Sequence, residues 1–338
     1  MPQQSKPAED APAPLLAVTQ GDPAGIGIEI TAKAWRERQS ASLDPFFLIG
    51  SAREIGTQLG ALFPDIPIAE IDAPEAARAA FPRALPVVAL DPELSAPHAT
   101  IEAIRLGVQF CNKGAADAIV TNPIHKKRLY EAGFDHPGHT EYLAALTGRP
   151  GKSVMMLACT ELKVVPATVH VPIRDVPDRL SRPLLRHVIG TTLADLRSRF
   201  GLEDPRLTVT GLNPHAGEGG SIGREEVEII RPVVEEFAAQ RVKITGPFPA
   251  DSLFHAAARA QYDAVLCMYH DQALIPLKTI DFDGGVNVTL GLDLIRTSPD
   301  HGTADDIAGK GIANPSSLIA ALRMAGEMAR ASRLHSHD

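Results

Sequence analysis

Short apolar runs rich in β-branched residues alternate with helix-patterned stretches along nearly the whole chain, and this alternation restricts the fold more than any other feature. The runs "LLAVTQ" (15–20), "FFLIG" (46–50), "PVVAL" (86–90), "DAIVTN" (117–122) and "SVMMLAC" (153–159) predict strands. So do "KVVPATVH" (163–170), "RLTVTGL" (206–212), "KITGPF" (243–248) and "DAVLCMYH" (263–270). Between them, "IEITAKAWRERQ", "ATIEAIRLGVQFCNKG", "HTEYLAALTG", "RPLLRHVIGTTLADLRSRFG" and "EEVEIIRPVVEEFAAQ" predict helices. Apolar strands joined through helices require cover on both faces of a sheet. The expected fold is therefore α/β, three layers (α/β/α) around a largely parallel mixed sheet. A chain of 338 residues is long enough for two such domains.

Chemistry in sheets of this kind collects beyond the carboxyl ends of strands, where successive loops converge. The polar clusters follow that rule: "GDPAG" after 15–20, "TNPIHKK" after 117–122, "HVPIRD" after 163–170, "NPHAGEGG" after 206–212 and "HDQ" after 263–270. Two of these loops are glycine-rich, yet neither is a dinucleotide fingerprint. Gly217-x-Gly219 is followed by Ile222 where the third glycine belongs, and Gly25-x-Gly27 by Ile30. Neither has the Lys-Ser/Thr of a P-loop.

His170, His215 and His270 each stand at or just beyond the end of a predicted strand. One such histidine is commonly a hydrogen-bonded loop residue. Three at corresponding positions of neighbouring units also suit a shared divalent metal, because three imidazoles with an open position describe a catalytic site. Asp271 and Asp251 are candidates to orient that shell.

The charge balance excludes some partners. The net charge is −8 and basic residues are scattered, whereas a duplex-binding surface needs a concentrated basic face, so no nucleic-acid partner is expected. No run reaches the length of a membrane span. Cys111, Cys159 and Cys267 are odd in number and far apart, which suits reduced thiols and a cytoplasmic protein. The Pro/Ala/Gln-rich segment 1–14 reads as a disordered tail.

Together "GDPAGIG", "TNPIHK…GHTEYLA", "GLNPHAGEGG", "GPFPAD", "MYHDQ", "GVNVTLGL" and "IRTSPDHGTADDIAGKG" resemble the PdxA family of vitamin B6 biosynthesis, the 4-hydroxythreonine-4-phosphate dehydrogenases. The likeness runs from about residue 15 to 325, with Ile28 and Val169 as departures from the usual pattern. It implies a homodimer that oxidises 4-phosphooxy-L-threonine with NAD⁺ or NADP⁺, the β-keto acid then losing CO₂ to give 3-amino-2-oxopropyl phosphate. Carried over by motif, the metal ligands are His170, His215 and His270, one supplied across the subunit interface. The metal is Zn²⁺ first, with Co²⁺ or Mg²⁺ as alternatives. The implied substrate contacts are His139, Thr140, Lys278, Asn287 and Arg296. Asp271 and Lys278 are alternative proton acceptors, since a nearby metal would depress either pKa.

The segment "HGTADDIAGKGIANP" (301–315) is also similar to the nucleotide loop of the isopropylmalate and isocitrate dehydrogenases, which lack the Rossmann fingerprint. By that likeness His301, Gly302 and Asp306 lie near the adenosine, and Asp306 favours NAD⁺ over NADP⁺. The implied division is 15–130 with 282–335 as a nucleotide-side domain, and 131–281 as a metal, substrate and dimerisation domain. Rival expectations are a paralogue acting on a threonate 4-phosphate or a cis-diol dicarboxylate, and a metal-binding scaffold without turnover.

Overall fold

In the computed structural model, which describes residues 12–335, twelve strands form one sheet. They are β1 (Leu16–Thr19), β2 (Phe46–Gly50), β3 (Ile68–Glu70), β4 (Leu85–Ala89), β5 (Ala118–Thr121), β6 (Val154–Ala158), β7 (Lys163–Thr168), β8 (Leu207–Thr210), β9 (Ile244–Phe248), β10 (Ala264–Tyr269), β11 (Val286–Leu290) and β12 (Arg296–Pro299). Their order is β3-β4-β2-β1-β5-β12-β11-β6-β7-β10-β8-β9. Most of the expected tail lies outside the described residues. Within them, Pro12 accepts a hydrogen bond from Arg333 Nη1 at 2.6 Å.

Side-chain alternation along the strands explains the three layers. Leu16 and Val18 of β1 join one core cluster with Ile28, Leu185 and Leu322, while Ala17 between them faces Ala99 and Ala103. Further along the sheet, Met156 and Leu266 share the first face, whereas Leu157 and Cys267 pack beneath Leu274 and Leu277 of helix His270–Ile280. Both faces are thus covered. Cys111, Cys159 and Cys267 are free thiols, and burial pushes Cys111 up to about 12, as inert packing residues should be.

The sheet corrects one expectation. Strands β3, β4, β2, β1, β5 and β12 are mutually parallel, and β7, β10, β8 and β9 are too, but β11 and β6 make three antiparallel pairings between the two blocks. Three reversals leave the blocks pointing opposite ways. The loops after β1 and β5 therefore lie at one edge, and those carrying the three histidines at the other. Strands β11 and β12, not predicted as strands, supply the reversal and the site between the edges. The sequence of β12, "RTSP", is polar although all four residues are buried.

Candidate active site

The antiparallel seam sets side chains of β11 and β12 on one face. Asn287 pairs with Ser298, and Thr289 with Arg296, so all four project together. Asn287, Ser298 and Arg296 form the floor of a cavity of about 270 Å³, walled by Thr121 at the end of β5, Asn122 and Lys126 beyond it, and His139, Thr140 and Glu141 of helix His139–Leu146. His170, His301 and Gly302 close it.

Arg296 governs this cavity. It is 3% exposed, donating to Thr121 Oγ1 at 3.1 and 2.7 Å and to Thr289 Oγ1 at 2.9 Å, and among the described residues no carboxylate is in ion-pair contact with it. Burial pushes its pKa down to about 10, Glu141 pulling the other way, so the guanidinium stays charged at neutral pH. An enclosed cation with no carboxylate in direct contact costs several kcal/mol, a cost that an anionic ligand would offset. His139 shares the space. Its Nε2 is enclosed without a partner, and burial, then Arg296 and Lys126, hold it well below the ordinary imidazole range. It is a neutral ring beside a cation. Asn122 donates to Thr19 O and Thr31 Oγ1, at 2.9 and 2.8 Å, and its Oδ1 has no partner.

His170 also lines a second recess, of about 190 Å³, with Thr168, Tyr269, His270 and Asp271. The rings of His170 and His270 have centroids 5.6 Å apart. Burial, His270 and Lys126 lower the His170 pKa, keeping the ring a neutral lone-pair donor. Asp271 Oδ1 lies 2.7 Å from His270 Nδ1 and so directs Nε2 outward, as carboxylates do behind metal-bound imidazoles. Two such imidazoles fit a divalent ion. His215 is not gathered with them, however: it is exposed and lines neither cavity, and among the described residues no three His, Cys, Asp or Glu are grouped to hold a metal.

His215 opens five successive left-handed residues: His215 (φ 54°), Ala216 (51°), Gly217 (75°), Glu218 (43°) and Gly219 (67°). With three non-glycines among them, this run costs roughly 3–6 kcal/mol of backbone strain. The glycines at 217 and 219 keep it from costing more.

Of the other expected residues, His139, Thr140, Asn287 and Arg296 meet in the larger cavity, together with His301 and Gly302. Lys278 does not line it; its Nζ is 2.8 Å from Asp300 Oδ2 and 5.4 Å from the Phe282 ring centre. Asp306 is exposed, and its neighbour Asp305 pairs with Arg128, which also reaches Asp22 at 3.0 Å and so ties the 301–311 loop to "GDPAG". Lys126, Glu141 and Ser298 were not singled out from sequence. The available signal was that Lys126 and Glu141 are themselves part of "HK" and "GHTE".

The sequence profile of a family described as "Pyridoxal phosphate biosynthetic protein PdxA" matches residues 42–325. A 4-hydroxythreonine-4-phosphate dehydrogenase of Methylorubrum populi is 50% identical over 330 residues, 93% of this chain and 94% of that protein. The crystal structure of a Klebsiella pneumoniae 4-hydroxythreonine-4-phosphate dehydrogenase superposes with a TM-score of 0.85 at 40% identity, covering 94% of this chain and all (100%) of that one. A Burkholderia xenovorans terephthalate 1,2-cis-dihydrodiol dehydrogenase is more distant: TM-score 0.64, 26% identity, 93% of this chain and 98% of that one.

Proposed function

Because the chain belongs to the PdxA family, we propose that it oxidises the secondary alcohol of 4-phosphooxy-L-threonine with NAD⁺ or NADP⁺, releasing CO₂ and 3-amino-2-oxopropyl phosphate for pyridoxal phosphate synthesis. The observation that carries this reading is the buried Arg296 guanidinium on the cavity floor, bonded to hydroxyls rather than to a carboxylate. A phosphate brings nearly two negative charges and several acceptor oxygens, which suits a buried fork of donors. Lys126 adds a second cation at the rim, and Thr140, Asn287 and the neutral His139 add donors that do not raise the charge further.

His170 and His270 would hold a divalent metal, Zn²⁺, Co²⁺ or Mg²⁺, whose chemistry is to acidify the alcohol and later stabilise the enolate. Our reading gives the third ligand as His215 of the partner subunit. Large exposed apolar side chains support a homodimer: Ile173 (72%) beside the His170 loop, and Ile275 (63%) and Phe282 (74%) on and just beyond helix His270–Ile280. Asp271, beside His270 in the smaller recess, is the proton acceptor we assign. Lys278, already paired with Asp300, supplies charge rather than basicity. His301 and Gly302 border the cavity from the 301–311 loop, where the nicotinamide nucleotide would approach to accept hydride. The chain reads as two lobes, 15–130 with 282–335 and 131–281, because the sheet order changes from one segment to the other between β11 and β6. No helix among the described residues is long and apolar enough to cross a membrane.

The test is NADH formation with purified protein, metal and either 4-phosphooxy-L-threonine, a threonate 4-phosphate or a cis-diol dicarboxylate. Turnover confined to the diol would overturn the assignment, and a scaffold would reduce no NAD⁺ with any of them.

A further inference from the structure

A carboxylate lies enclosed at the centre of the glycine-rich loop and lines neither cavity. Glu226 is 0% exposed. Its Oε1 accepts from the backbone N–H groups of Leu212 and Asn213, both at 2.8 Å, and its Oε2 from Asn213 Nδ2 at 3.0 Å. The same Asn213 amide donates to Glu225 at 2.7 Å. Three glycines make the space. A Cβ on Gly217 would sit 2.5 Å from Glu226 Oε2, one on Gly211 3.0 Å from Oε1, and one on Gly223 2.2 Å from Asn213 Nδ2. The spacing of glycines in "GLNPHAGEGGSIGREE" is therefore the imprint of a buried carboxylate–amide pair.

We propose that Glu226 is the positioning residue of His215: its carboxylate fixes the backbone from which that imidazole is presented. The two N–H groups it binds belong to the residues immediately before Pro214. Pro214 has its own φ locked by its ring, and His215 follows in the left-handed region. Two anchored peptide planes and one rigid residue leave His215 little freedom in the direction of its Cα–Cβ bond. An acceptor-only group is required, because an amide at 226 would set a donor against Asn213 Nδ2. The inference rests on His215 acting as a metal ligand.

The experiment is metal affinity, measured on stripped full-length enzyme titrated with Zn²⁺ or Co²⁺ against a chromophoric chelator, with the visible spectrum of the Co²⁺ form recorded. Glu226→Gln is expected to weaken metal binding about 10–100-fold, as loss of groups behind metal ligands does, and to shift the Co²⁺ bands. Asn213→Ala, at a partly exposed site, is expected to weaken it about 3–10-fold and covers the case in which the core variant fails to fold. His215→Ala separates the two ideas. If it weakens binding while both other variants bind as wild type with unchanged spectra, the positioning role is overturned and the ligand role stands. If His215→Ala itself binds metal normally, the ligand role falls and the positioning role with it.

Discussion

Replacing Arg296 by Met keeps the apolar length of the side chain while removing its charge and fork of donors. Two effects follow, with opposite signs. For ligand binding, a desolvated charge pair is lost, which costs about 2–5 kcal/mol, or roughly 30- to several-thousand-fold in KM for the phosphorylated substrate. For the free protein, no carboxylate of the described residues is in ion-pair contact with the guanidinium, so its removal relieves an unfavourable burial. Against that stand the hydroxyls of Thr121 and Thr289, which lose a donor but keep their own O–H to reorient, at about 1 kcal/mol each. The net change in unfolding free energy without ligand should then be near zero or favourable. Breaking an ordinary buried ion pair would instead cost about 3–5 kcal/mol. The assay pairs urea denaturation of ligand-free protein with initial rates over a range of substrate. A variant destabilised by more than about 2 kcal/mol with KM unchanged would refute the reasoning, since Arg296 would then be a structural cation rather than an anion receptor.

Other expectations follow from the same geometry. If His215 acts across the interface, inactive His215→Ala and His270→Ala proteins, unfolded and refolded together, should regain about a quarter of wild-type activity: half of the dimers are mixed, each with one intact site of two. No recovery would place all three ligands within one chain. His139 and His170 have folded pKa values lowered by burial, so the unfolded chain binds more protons below the ordinary imidazole value of about 6.5. Stability is therefore fully present above that value and is lost as pH falls, by at most about 1.4 kcal/mol per pH unit for each ring; urea curves at pH 7 and 5.5 should show a shallower loss for His139→Gln. Lys126→Ala should raise KM about 3–10-fold, more at low salt than high, because this cation is solvent-exposed at the rim; a salt-independent effect would argue against a charge role.

Much of the fold was legible because β1, β2, β5, β6 and β10 are apolar on both faces, and short continuous apolar runs bounded by turns announce themselves. β12 was not legible, since "RTSP" reads as a loop until Thr121 and Thr289 are seen to satisfy its arginine. The direction of the second strand block was hidden for a related reason: it depends on β11 and β12, the last strands in sequence, lying mid-sheet. The site followed the same division. His139, Thr140, Asn287 and Arg296 were found through motif resemblance, whereas spacing alone pointed to three histidines that the single chain does not assemble. Glu226 drew no notice, as a glutamate at a helix start reads as a solvated first-turn acid until its burial is known.

The late arrival of β11 and β12 bears on how the polypeptide is made. Until residues 286–299 leave the ribosome, β5 and β6 have no partner on the sides those strands will occupy, so two half-sheets wait with open flanks. Unpaired flanks of this kind recruit neighbouring chains. A nascent chain stalled or truncated before Val286 should therefore depend on chaperones and precipitate without them, whereas cuts beyond Leu334 leave every pairing of the sheet in place.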